Sequence, residues 1–389
     1  MNSLLLLDNE EFLRRSDKLR EQLERSNVDA MLISDNADIY YLSGRVFAGY
    51  IYLPASGDVR FFVRRPVGLS GENVFQIHKP EQIPQLLDAM PQTLALELDI
   101  TPYSTILRLE SAFAGVKIAN ASAMIRDARA TKTKAELDKI RLSGEKQRMV
   151  YHKIPMLYQR GMTDIELQIE IERASRLEGC LGQFRISGNS MELYMANLLV
   201  GDNADAPTPY DFAMGGAGMD PSLPVGSNGT PIRRGQSIMC DVNGNYTGYM
   251  TDMTRTFALG PLSDRANEAH QCSIDICRKV SEMGRPGVEA RQLYHEAEAM
   301  ARSRGFAEYF MGHRQKAGFV GHGLGIEINE APVIAPRSRD IIREGNVFAL
   351  EPKFVIPGVG AVGIENTYYV GSDHTECLTL APEQIIYFE

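Results

Sequence analysis

Cysteine, histidine, long apolar stretches and clustered basic residues are all scarce in this 389-residue chain. The five cysteines (Cys180, Cys240, Cys272, Cys277 and Cys377) are an odd number, widely spaced, with no CxxC pair. Such a set makes no disulfide framework and reads as reduced thiols, mostly core residues, in a cytoplasmic protein. No apolar run approaches the ~20 residues of a membrane span. The opening MNSLLLLDNEEF has neither the basic start nor the longer apolar region of a signal peptide. No Lys/Arg-rich run occurs and the net charge is −9, which argues against nucleic acid or an anionic membrane as partner. Histidines number seven, with none between 153 and 269 or between 323 and 373.

The rest of the composition, 44% hydrophobic and 23% charged, is that of a globular protein with a sizeable core. The length predicts two domains. Over residues 9–27, Phe12, Leu19 and Leu23 recur at helical spacing. DAMLIS, YIYLP and VRFFV read as strands, and IPQLLDAM, TLALELD, STILRLESAF and KIANAS continue a helix–strand alternation to about 120. This predicts a small α/β domain over 1–125. A charged stretch with a capping box, Thr133 and Glu136, predicts a linker helix over 126–150. A second domain then fills 151–389. There Thr163 with Glu166 opens a helix that Gly179 closes, and helices are expected near 263–283 and 288–304. Residues 186–230, rich in Gly, Pro, Asn and Met, read as a long irregular segment; its place before the first acidic strand puts it on the substrate side of any site. Strands fill 345–388, and no internal repeat is evident.

Two pairs of acids interrupt apolar β-type runs, where acids are disfavoured. Asp241 and Asp252 lie in SIMCDVNGNYTGYMTDMTRTF, on either side of turn-prone residues. Glu351 and Glu365 lie in NVFALEPKFVIPGVGAVGIENTYYV, each seven residues from Gly358. Hairpins closed at these turns bring each pair side by side. Between them stands GHGLGIEINEAP, with His322 framed by glycines. Two carboxylates about 4 Å apart repel by about 4 kcal/mol at an effective dielectric near 20. Four together therefore require protons or metals. Two divalent ions balance four carboxylates, with neutral His322 as a fifth ligand, and the oxygen-rich set suits Mn²⁺, Co²⁺, Zn²⁺ or Fe²⁺. A pair of such ions can acidify a shared water and polarise a carbonyl, the chemistry of amide hydrolysis.

These motifs resemble the metallopeptidases of family M24, the Xaa-Pro aminopeptidases and Xaa-Pro dipeptidases of the creatinase/prolidase type. YYLSG, ATKTKAELDKIR, RGMTDIEL, RPGV, the D…DMTRTF pair, GHGLGIE, LEP and GIEN match in order and spacing. The resemblance implies an α/β creatinase/prolidase-like N-terminal domain and an α+β C-terminal pita-bread domain. It implies that Asp241, Asp252, His322, Glu351 and Glu365 hold two divalent metal ions and that a metal-bridging hydroxide cleaves Xaa-Pro or similar small peptide bonds. Glu351 would be the catalytic proton shuttle and Thr254 would support the ligands from outside. A cytoplasmic homodimer acting on a small, proline-containing peptide is the expected setting. The chain departs from the pattern on the substrate side. The family's second histidine is Asn329 here, and an upstream histidine falls at Val225 or Thr208. Asn329, through its amide, and His313 are the candidates left to bind substrate. Two alternatives stay open: the same centre acting on a non-peptide small molecule, or a catalytically weak binding module of the same fold.

Overall fold

The computed structural model describes residues 2–188 and 190–388, and the chain divides between Arg129 and Ala130 into two compact units. In the first, α1 (Asn9–Ser26) is capped by Asp8, which accepts from the Glu11 N–H at 2.8 Å. It is followed by β1 (Ala30–Ile33), α2 (Asn36–Ser43), β2 (Ala48–Pro54), β3 (Arg60–Arg65), β4 (Val74–Gln76), β5 (Thr93–Leu96), α3 (Tyr103–Ala112), β6 (Lys117–Asn120) and α4 (Ser122–Ala130). The strands form one mixed sheet in the order β4-β3-β2-β1-β5-β6. YYLSG ends α2, with Gly44 in the left-handed conformation that closes a helix without a Cβ clash. IPQLLDAM, expected as a helix, forms only one 3₁₀ turn, Pro84–Leu86, just after another at Pro80–Gln82. Pro84 has no N–H to give to a continuing helix.

The charged stretch expected as one linker helix over 126–150 is two helices. α4 ends at Ala130, and α5 (Lys134–Leu157) starts after Thr133, whose capping box with Glu136 forms as expected. The break arises because Thr131 bridges to Asn346 and the Lys132 N–H donates to Gly345 O at 2.7 Å. These strand-like pairings hold 131–132 extended, so α5 belongs to the second unit.

That unit continues with α6 (Asp164–Leu177), opened by the Thr163/Glu166 capping box. The segment read as irregular contains one buried strand, β7 (Ala196–Val200). Then come β8 (Ser237–Asn245), β9 (Met250–Leu259), α7 (Asp264–Met283) and α8 (Ala290–Ser303). The chain ends in short strands: β10 (Gly321–Gly323), β11 (Glu330–Ile334), β12 (Val347–Leu350), β13 (Lys353–Ile356), β14 (Gly360–Gly363), β15 (Asn366–Val370), β16 (Thr375–Cys377) and β17 (Ile386–Phe388). They build a four-stranded sheet β17-β9-β8-β7, a five-stranded sheet β11-β10-β12-β15-β16 and the ribbon β13-β14. Apolar faces of α5 and α6 cover the first sheet through Val150, Ile154, Leu167 and Ile171. α7 and α8 pack on the ribbon and the second sheet around Ile276, Leu293, Phe348 and Phe354. No described helix is long and apolar enough to cross a membrane.

Candidate metal centre

β8 and β9 form the expected hairpin, but Asp241 and Asp252 are not directly opposite. Asp241 faces Thr254 and Asp252 faces Asn243, so the two acids are diagonal neighbours on one face. With its amide nitrogen turned inward, Asn243 donates to Asp252 Oδ1 at 3.1 Å and Oδ2 at 3.2 Å. Helix α5 holds the hairpin from behind: Gln147 donates to Val242 O, and the Tyr151 hydroxyl reaches Cys240 O and Met253 O.

The second acidic pair sits at an interruption in one long register. Leu350 pairs with Asn366 and Lys353 with Gly363. The same register places Glu351 opposite Glu365, where Pro352 and the backbone of Ile364 leave the ladder. There the backbone amides bond elsewhere: Glu351 N–H to Val320 O at 3.0 Å, and Glu365 N–H to Thr254 O at 3.1 Å. Alternate residues of β9 stitch the two hairpins together. The Thr254 hydroxyl donates to Glu365 Oε2 at 2.7 Å, and that of Thr256 to Gly363 O at 2.8 Å. The buried Arg255 guanidinium donates to Glu365 O and to Asn366 Oδ1, both at 2.8 Å. Thr367 exchanges hydrogen bonds with the Asp252 backbone, each at 2.9 Å.

His322 is presented by β10, squeezed between β11 and β12. Its flanking glycines are steric necessities. A Cβ on Gly321 would lie 2.4 Å from Ala349 O, and one on Gly323 would lie 2.1 Å from Ala331 O. His322 Nδ1 lies 3.2 Å from Gly323 O, which directs Nε2 at the acids, 3.3 Å from Glu351 Oε1 and 3.9 Å from Asp252 Oδ2. Asp241, Asp252, His322, Glu351 and Glu365 thus converge. Two subsets, Asp252–His322–Glu365 and Asp241–Glu351–Glu365, each bring ligand atoms within 4.8 Å of one another.

A residue that the sequence reading passed over joins them. Lys353 is fully buried, and its Nζ lies 2.8 Å from Glu351 Oε2, 3.0 Å from Asp241 Oδ2 and 3.3 Å from Glu365 Oε2. The signal was available: in FALEPKFVIP, Glu351 and Lys353 are the only charges and stand two apart, hence on one face of a strand.

Burial pushes the Asp252 carboxyl well above its usual range, and the neighbouring carboxylates of Glu365, Asp241 and Glu351 push the same way. Burial and then Glu351 raise Glu365 to about 8, against the pull of Lys353. For Glu351 burial acts upward too, but Lys353 and His322 outweigh it and hold it below the usual value. Burial acts to lower Lys353, yet Asp241, Glu351 and Glu365 carry it well above an ordinary lysine. Glu365 Oε1 is buried and has no hydrogen-bond partner among the described residues. A buried carboxylate oxygen left unserved, on a residue grouped with an imidazole, fits a cation.

The acids open on a cavity of about 240 Å³. Ile186, Met191, Leu193, Phe212, Met214 and Ile328 give it apolar walls, so the 186–230 segment supplies most of the side away from the acids. Asn197 also lines it; its amide nitrogen donates to Met214 O at 2.9 Å, while the buried Oδ1 has no partner among the described residues. The two substrate-side candidates fare differently from expectation. Asn329 lines the cavity, but its amide clamps the Ser187 backbone, accepting from the N–H and donating to the carbonyl, both at 2.7 Å. His313 is not among the described residues that line the cavity. Its Nδ1 pairs with Oδ2 of the buried Asp205 at 3.0 Å, a contact that the residue type alone did not disclose. Neighbouring Glu330 is structural: Oε2 pairs with Lys132 Nζ at 2.9 Å, and Oε1 accepts from the amides of Ile326 and Glu327, both at 3.0 Å.

Comparison with known proteins agrees with this architecture. The Creatinase/Prolidase N-terminal domain model matches residues 15–131, and the model of metallopeptidase family M24 matches residues 138–372. The chain is 25% identical over 375 residues to the Xaa-Pro dipeptidase of Pyrococcus horikoshii, covering 95% of this chain and 97% of the relative. Its structure is similar to that of the prolidase from Pyrococcus horikoshii OT3, with a TM-score of 0.78, 23% identity and coverage of 95% and 98%. It is also similar to that of the Xaa-Pro dipeptidase from Bacillus anthracis, with a TM-score of 0.80, 22% identity and coverage of 97% and 99%. With the second unit's two stitched hairpins inside the matched span and well over half of its residues covered, the chain belongs to metallopeptidase family M24, in its pita-bread fold with a creatinase-type N-terminal domain.

Proposed function

We propose that this metallopeptidase hydrolyses small peptides, Xaa-Pro dipeptides first among them, with divalent metal held among Asp241, Asp252, His322, Glu351 and Glu365. The observation that carries the reading is the buried, unpartnered Oε1 of Glu365, a residue that converges with Asp252 and His322, which themselves line a peptide-sized cavity. A divalent ion bound there supplies Lewis acidity and a water acidified toward neutrality. Glu351, kept ionised by Lys353 and His322, can take a proton on Oε1, the oxygen that faces His322. Thr254 holds the Glu365 carboxylate in one orientation. Asn197 Oδ1, fixed as an acceptor because its amide nitrogen is used, can take an N–H of the substrate. The apolar wall favours an apolar side chain and keeps water out of the site.

A second reading, the same centre acting on a non-peptide small molecule, is favoured by Asn329. Where the family pattern has a histidine aimed at the scissile bond, this side chain is occupied by Ser187. Removing one preorganised donor at a developing oxyanion typically costs about 10²–10³ in turnover. Assay of the purified chain on Xaa-Pro dipeptides with added Mn²⁺, Co²⁺ or Zn²⁺ tests the proposal. Metal-dependent release of proline is the expected result, and metal-dependent turnover confined to non-peptide amides would move the assignment to the second reading.

A further inference from the structure

Resting on the metal-dependent reading, we infer that the Lys353 ammonium occupies the place of a second metal ion, so that each chain binds one divalent ion, in the Asp252–His322–Glu365 subset. Two cation positions exist among the acids, and they differ in one respect. At Asp241–Glu351–Glu365 every residue already faces Lys353 Nζ, at 3.0, 2.8 and 3.3 Å. An ammonium has three N–H donors, and here all three are spent on three carboxylates. At Asp252–His322–Glu365 the ammonium touches only Oε2 of Glu365, leaving Oε1, His322 Nε2 and the Asp252 carboxylate for another cation.

The charges favour the same outcome. Four carboxylates and one ammonium sum to −3, and one divalent ion brings the centre to −1. A second would bring it to +1 and would set a double positive charge against a buried ammonium competing for the same oxygens. Nor is Lys353 free to withdraw. It stands in β13, paired with Gly363, with its side chain wholly enclosed and Phe354 behind it in the core. The count of two ions reached from the sequence balanced the acids without this lysine.

The test is a metal count on the full-length chain, stripped with chelator and titrated with Mn²⁺, read by calorimetry and by elemental analysis after desalting. One ion per chain is expected for the wild type and two for Lys353→Ala, which opens the Asp241–Glu351–Glu365 subset. Two ions in the wild type, or one in both proteins, would overturn the inference while leaving the metallopeptidase reading standing. No binding by the wild type would overturn both. Should the alanine variant not fold, low-temperature EPR of the Mn²⁺-loaded wild type decides alone. An isolated six-line spectrum integrating to one spin centre per chain is expected, and the multiline spectrum of a coupled Mn²⁺ pair would refute it.

Discussion

Each unit of this protein buries a cluster of acids, and the two clusters differ in what surrounds them. In the first unit Asp38 and Glu97 are buried beside Arg129. Glu97 Oε2 accepts from the Ser34 N–H at 2.6 Å, the Ser34 hydroxyl at 2.7 Å and the Asp35 N–H at 3.0 Å, while Asp38 Oδ1 accepts from Arg129 Nη1 at 2.6 Å. These acids tie the end of β1 and the start of α2 to β5 and α4. In the second unit four acids meet a lysine and a histidine, one carboxylate oxygen has no partner among the described residues, and Asp241, Asp252 and Glu351 line a cavity. Burial and raised pKa values occur in both clusters. What separates a structural cluster from a reactive one is the unserved atom and the space in front of it.

Four substitutions probe that contrast. Asp252→Asn should remove metal binding and reduce peptidase activity to background, with the fold intact by circular dichroism; retained metal at micromolar concentration would contradict it. Arg129→Met should leave metal content unchanged but strand Asp38 as a buried charge, a loss of about 3–5 kcal/mol in denaturant unfolding of the first unit. Thr254→Val should weaken metal affinity or turnover about 10–100-fold, because it frees the Glu365 carboxylate to rotate without removing a ligand; equal titration curves for variant and wild type would assign Thr254 to packing alone. The smallest effect is a slope. Burial and then Asp38 raise the Glu97 pKa well above 4.5, so the folded first unit holds a proton that the unfolded chain releases. That stability is present below pH 4.5 and is lost as pH rises toward the folded value, at no more than about 1.4 kcal/mol per pH unit. Glu97→Gln should flatten this dependence, and an unchanged pH profile of unfolding would count against it.

How far these features could be read in the sequence depended on whether the signal was local. Both capping boxes, the α1 periodicity and the hairpin turns formed where short-range patterns placed them. The acids of β8, β9 and the β12–β15 hairpin announced themselves as charges in apolar strands. Asp38 and Glu97 passed unnoticed, although Glu97 stands between Leu96 and Leu98, because Arg129 lies far along the chain and β5 meets β1 only in the fold. β7 was hidden in a Gly- and Pro-rich tract, and its partner β8 stands some forty residues on, beyond any local window. IPQLLDAM had helical composition, but only Pro84–Leu86 makes a turn. Lys353 escaped because an acid in a strand prompts a search for metal, whereas a lysine in the same strand prompts none until its distances are known.

The register shared by Leu350–Asn366 and Lys353–Gly363 has a consequence for what the gene can tolerate. Residues Pro357, Gly358 and Val359 form a surface turn, the kind of place where length usually varies freely. Here that turn sets the phase of everything after it. Adding or removing one residue would move Glu365 to the opposite face of its strand and bring Ile364 or Asn366 among the acids. A change of two would keep the face but slide the carboxylate by about 7 Å. Substitutions at Gly358 that accept its φ of 78° should be harmless, while any change in length should cost the centre. The turn is a ruler, and its tolerance is for chemistry rather than for number.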